Sequence, residues 1–163
     1  MMVANRWLGY FPQTLQGADI IADKGYRVIL PDFFRGKPYD LKKFPPTKDE
    51  DKKELGEFFQ TIASPPMRIP ELINVVKDLR EQGYKKTALV GYCWGAAISL
   101  NAATQDAQIA DAVAVFHPAM LDASVVEKVK TPIGFFPSKD EDKNEVSPFR
   151  FFLLALPFFL TFF

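Results

Sequence analysis

Between residues 11 and 24, Leu15, Ala18, Ile21 and Ala22 recur at helical spacing, and Gly25 offers a stop. The run Tyr26-Arg27-Val28-Ile29-Leu30 predicts a buried strand closed by Pro31-Asp32. Residues 33–46 hold Gly36, Pro38, Pro45 and Pro46, and predict a loop or cap. Residues 49–63 predict a surface helix with Leu55, Phe58, Phe59 and Ile62 on one side. Pro65-Pro66 predicts an interruption. Pro70 then suits the first turn of another helix, striped by Leu72, Ile73, Val76 and Leu79 and ended by Gly83. Apolar runs return at Thr87-Ala88-Leu89-Val90, Ala112-Val113-Ala114-Val115-Phe116 and Ile133-Gly134-Phe135-Phe136. A helix follows the first of these from Ala96, and a short one is predicted at 124–129. Strands alternating with helices predict a three-layer α/β/α fold around a mostly parallel sheet.

Candidate chemistry sits at one of these strand-to-helix junctions. Gly91-Tyr92-Cys93-Trp94-Gly95 follows an apolar strand and opens a helix. That is the setting in which G-x-S-x-G forms a nucleophile elbow, here with cysteine in the serine's place. The nucleophile of such an elbow has a strained backbone, and side chains two positions to either side would collide, hence the glycines. The turn aims Cys93 at a helix N-terminus, where N–H groups and the dipole attract negative charge. The plain alternative for a lone cysteine is a small buried hydrophobe.

Several further stretches share a resemblance with this elbow. Phe11-Pro12-Gln13-Thr14, the run from Tyr26 through Pro31-Asp32-Phe33-Phe34-Arg35-Gly36, Phe116-His117-Pro118 and Pro137-Ser138-Lys139-Asp140-Glu141-Asp142 resemble the dienelactone hydrolase family, closest to its fungal-type branch. The resemblance covers roughly residues 8–146. It implies an α/β-hydrolase fold and hydrolysis of esters or lactones by a Cys-Asp-His triad without a metal or other cofactor. On this resemblance Cys93 matches the nucleophile and Asp140 the triad acid, with Asp142 second. The backbone N–H of Trp94 matches one oxyanion donor, and the other falls on Trp7 or Leu8. Arg68 is a candidate for holding a substrate carboxylate, its alternative being a surface charge. Tyr92 is a candidate for lining the substrate pocket, its alternative being packing. Asp32 and Arg35 lie past a strand end, where α/β enzymes bind ligands; their plain role is turn formation.

The sequence also departs from the family pattern. The triad histidine should follow the acid, yet the one histidine, His117, precedes Asp140. His117 reads as a structural or pocket-wall residue, with a substitute base as its alternative. The family has several strands before the point matching Leu8-Gly9. Residues 2–7 are left to fill the place between the 26–30 and 87–90 strands, and Arg6 stands where the family has an acidic residue. The expected fold is therefore an incomplete α/β-hydrolase over residues 1–148. The expected function is a Cys-dependent ester or lactone hydrolase weakened by the missing histidine, or else a non-catalytic relative of one. A class I glutamine amidotransferase also uses a Gly-flanked cysteine, but needs a downstream His-x-Glu pair that this chain lacks.

Composition changes this picture in two places. Twenty basic residues balance twenty acidic ones, so no strong field favours nucleic acid, and the expected partner is a small-molecule ester or lactone. A single cysteine excludes an internal disulfide and fits a reducing, cytoplasmic compartment. Residues 149–163, FRFFLLALPFFLTFF, break abruptly from what precedes them. Spanning a bilayer takes about 20 apolar residues, and this run is shorter and holds Arg150 and Pro157. A short membrane anchor, a buried segment covering an exposed sheet, and a stretch not selected for this fold all stay open. Oligomeric state is not legible.

Overall fold

The computed structural model describes residues 2–4, 9–106 and 108–139. Four strands form one parallel sheet: β1 (Met2–Ala4), β2 (Ala88–Tyr92), β3 (Ala112–Phe116) and β4 (Ile133–Phe136), side by side in that order. The helices are α1 (Pro12–Ala22), α2 (Asp49–Gln60), α3 (Pro65–Glu81), α4 (Trp94–Gln105) and α5 (Ala123–Val126). The expected α/β architecture is present. β3 and β4 occupy the residues their apolar runs predict.

β1 answers the question of the vacant place beside β2. Met2, Val3 and Ala4 pair with Leu89, Val90 and Gly91, so this edge of β2 has a parallel partner.

Side chains alternate between the two faces of the sheet. Val113 and Val115 of β3, and Ile133 and Phe135 of β4, are buried. They join Leu89, Trp94, Ile98, Leu100, Leu72 and Val76 in a core beneath α3 and α4. α4 is apolar on nearly every side and is buried from Trp94 to Leu100. A helix of that composition has to be interior. On the other face α1 buries Ala18 and leaves Leu15 and Ile20 exposed.

Two expectations need correction. Residues 26–30 do not form a strand: among them Ile29 makes an isolated bridge. Tyr26 is 58% exposed and Arg27, 5.7 Å from the Tyr84 ring, is exposed too, so the first two residues of this run face outward. Pro65-Pro66 does not interrupt a helix but begins α3, and Pro70 sits inside it. The first turn's N–H groups lack helical partners anyway, so two prolines are tolerated there. Met67 and Arg68 N–H both donate to the Ser64 carbonyl at 3.1 Å. Pro70 costs one interior bond, which the burial of Ile69, Leu72, Val76 and Leu79 outweighs.

The Phe-rich stretch 149–163 lies outside the described residues.

Candidate active site

β2 ends in a sharp turn. Cys93 has φ 52° and ψ −118°, a conformation that costs a non-glycine residue about 1–3 kcal/mol. Three backbone bonds hold it there. Cys93 N–H donates to the Phe116 carbonyl at 3.1 Å, and the Cys93 carbonyl accepts from Ala96 N–H at 3.0 Å and Ala119 N–H at 3.1 Å. The elbow is thus tied to its own helix and to the segment leaving β3. Gly91 shows why glycine is required two residues earlier. A Cβ there would stand 2.5 Å from the Gly95 carbonyl oxygen and 2.6 Å from Ala96 N and Cα, all backbone atoms that cannot swing aside. Cys93 is half-buried and carries a free thiol at the N-cap of α4.

Trp94 anchors the turn from below. Its side chain is fully buried, and its indole N–H donates to the Ala63 carbonyl at 3.0 Å. Its ring meets Phe33 edge-on at 5.8 Å and Phe34 at 5.2 Å. Trp94 therefore walls the core. Its backbone N–H, as the first of α4, has no helical acceptor by position. That is the attribute an oxyanion donor needs.

Tyr92 turns to the opposite face, as alternation requires. It is half-buried, and burial raises its phenol above the ordinary value, so the group stays protonated at neutral pH. Its ring stacks on Phe116 at 4.9 Å and lies 6.4 Å from His117. Tyr92 and His117 line a cavity of about 180 Å³, with Gln13, Thr14, Gly17 and Ile21 of α1 closing its other side. His117 sits in its wall with φ 35° and donates its backbone N–H to the Phe136 carbonyl at 2.9 Å.

The dienelactone hydrolase family pattern matches residues 1–145. The chain belongs to the dienelactone hydrolase family. It is 37% identical over 137 residues to an uncharacterised AIM2 family protein of Schizosaccharomyces pombe, covering 82% of this chain and 54% of that one. It is 29% identical over 119 residues to dienlactone hydrolase 1 of Gibberella moniliformis, covering 72% of this chain and 45% of that one. The chain thus spans about half the length of these relatives. The crystal structure of a dienelactone hydrolase-like promiscuous phosphotriesterase from metagenomic libraries superposes with a TM-score of 0.66 at 16% identity, over 94% of this chain and 63% of that one. At that identity the likeness establishes the shared fold.

Within this dienelactone hydrolase scaffold the other candidates fall in different places. Arg68 is buried, not a surface charge. Its Nε donates to the Ile62 carbonyl at 2.8 Å and its guanidinium pairs with Glu71 at 2.5 Å. Glu71 also receives Arg35 at 2.7 Å. Sequence reading missed Glu71. Its i, i+3 spacing from Arg68 was the available signal, but Arg35 is 36 residues away. Asp32 makes the turn expected of it: its carboxylate accepts from Phe34 N–H at 3.1 Å and Gly36 N–H at 2.8 Å. That turn, with Arg35 at φ 53°, delivers Phe33 and Phe34 to Trp94.

Leu8, Asp140, Asp142, Trp7 and Arg6 lie outside the described residues. The loop after Leu8 turns at Gly9, φ 76°, where an added Cβ would meet Pro38 Cβ at 3.0 Å. Among the described residues, no three His, Cys, Asp or Glu side chains converge as a metal site. Among them, too, no helix is long and apolar enough to cross a membrane.

Proposed function

We propose that this chain is a carboxylic ester or lactone hydrolase with Cys93 as its nucleophile. The observation that carries this reading is the Cys93 backbone, strained at φ 52° and backed by a Gly91 that admits no side chain. Strain of this kind is retained where a side chain must be presented to a reacting group. The Cys93 sulfur, as thiolate, attacks the substrate carbonyl carbon and forms a C–S bond. The carbonyl electrons move to oxygen, which accepts from the Trp94 backbone N–H, with Leu8 as the second donor. Collapse breaks the carbon–oxygen bond and expels the alcohol or enol oxygen, which takes from solvent water the proton that the thiol gave up on ionising. Water then hydrolyses the thioester, releasing the acid and restoring the thiol. Asp140 matches the family's triad acid, whose work is to orient a histidine that would follow it in the chain. Tyr92 lines the pocket, and Arg68 would hold a substrate carboxylate by exchanging Glu71 for it.

The place of the histidine supports a second reading. The chain's one histidine precedes Asp140, and it lines the cavity under α1. Positioned proton transfer is worth about 10²–10⁴-fold. Without it the thiol acylates slowly or the protein serves as a non-catalytic binder.

Mixing a p-nitrophenyl ester with wild type and Cys93→Ala separates these readings. Sustained turnover that the substitution abolishes supports the hydrolase. A burst of about one equivalent without turnover supports a thiol that acylates and stalls. Equal rates for the two proteins would remove Cys93 from the chemistry.

A further inference from the structure

The two faces of β3 and β4 are covered unequally. Val113, Val115, Ile133 and Phe135 are buried on the α4 side. On the opposite side Ala112 and Phe136 are exposed and Phe116 is half-buried. Tyr92, Phe116 and Phe136 occupy aligned positions on β2, β3 and β4. Their rings stack across the strands, Phe116 on Phe136 at 4.6 Å and 8°. Phe136 is 48% exposed at the end of this ladder. An aromatic row of this width left in water is unfavourable, and such patches mark contact surfaces.

The chain itself continues from this edge. Among the described residues β4 is the outer strand, and the chain runs on from its end through Pro137, Ser138 and Lys139. Residues 140–148 are mostly polar and can reach about 30 Å. The four strands span about 14 Å at their usual spacing. Residues 149–163 follow, with seven Phe, four Leu and one charged residue, Arg150. Their apolar content matches what the open face lacks, and the tether reaches all of it. We infer that residues 149–163 dock on the open face of β3 and β4, against the Tyr92–Phe116–Phe136 ladder, and supply the cover that α1 does not.

The test places p-benzoylphenylalanine at position 136 of the full chain and irradiates it. Products are sorted by intact mass and mapped after trypsin, which cuts at Arg150. The expected product has the mass of one chain, with position 136 joined to the peptide beginning at Phe151. A two-chain mass would make a second copy the occupant. Links to added phospholipid vesicles would make the bilayer the occupant. Either result, or no link to the segment, overturns the inference. If the position-136 variant does not fold, the same probe at exposed Ala112 reads the same face. A probe at Met67, exposed on α3, should give no such link. Equal yield from Met67 would show indiscriminate sticking and overturn the inference as well.

Discussion

α4 buries nine of its twelve residues against one face of the sheet, whereas α1 buries Ala18 against the other and leaves Leu15 and Ile20 in water. α4 packs on β1, β2 and β3, and α1 faces the sheet around Tyr92 at the end of β2. The difference shows where the fold concentrates its rigidity. Cys93 sits at the N-terminus of the sealed helix, and its backbone strain must be over-determined by its surroundings to persist. The buried α4, the Trp94 anchor and the bonds to Phe116 and Ala119 provide that. The α1 side holds a cavity and an aromatic row, features suited to receiving something.

The largest expected contrast is between Trp94 and Ile20. Trp94→Ala removes a fully buried ring with two aromatic neighbours and leaves the Ala63 carbonyl without its donor. Losses of about 3–5 kcal/mol follow such truncations. Ile20→Ala, at 57% exposure, should stay within about 0.5 kcal/mol of wild type. Urea unfolding midpoints measure both. Similar losses from the two variants would mean that the faces are equally structured, and the contrast would fail.

The glycines sharpen the same contrast with opposite signs. Gly91→Ala drives a methyl into the backbone of Gly95 and Ala96, and overpacking of this kind costs about 1–3 kcal/mol or more. It should also lower Cys93 alkylation rates, because the elbow cannot open without moving the sulfur. Gly17→Ala on α1 meets nothing within 4 Å and sits in a helix interior. There alanine is favoured by about 0.5–1 kcal/mol. Thermal melts of the two variants should move in opposite directions. A destabilised Gly17→Ala would show that the α1 side is more tightly filled than its geometry indicates.

What could be read in advance follows the same division. β3 and β4 were legible because each is a short apolar run between turn residues, and Gly91-x-Cys93-x-Gly95 was legible because its reason is local and steric. Residues 26–30 have the composition of a strand, yet Tyr26 and Arg27 face outward, and composition does not tell a run buried on both sides from one whose first residues are exposed. Pro65-Pro66 looked like a break because proline is judged without regard to which turn of the helix it occupies. The Ala119 bond to the elbow and the Arg35–Glu71 pair were not legible at all. Each joins residues distant in sequence, with spacing that no period encodes. The triad acid and second oxyanion donor rest on resemblance, since Asp140 and Leu8 lie outside the described residues.

The smallest effect concerns how the sealed layer is fastened at the end of the sheet away from Cys93. Asp111 precedes β3 and accepts from Lys86 at 2.8 Å, from Thr87 N–H at 2.9 Å and from Arg80 of α3 at 3.3 Å. The Lys86 bond first, then the Thr87 N–H, lower its carboxyl to about 2. An unfolded aspartate titrates near about 3.9. The folded value is the lower one, so the stabilisation is present above about pH 4 and disappears as pH falls towards 2. The side chain is one-third exposed, and solvent screening holds the contribution below about 1 kcal/mol. Asp111→Asn should therefore be slightly less stable than wild type at neutral pH and converge with it as pH falls through about 2. Urea unfolding at steps between those values measures the gap. A gap that persists unchanged in acid would assign it to packing instead of charge, and the sealed face would then owe its advantage to apolar burial throughout.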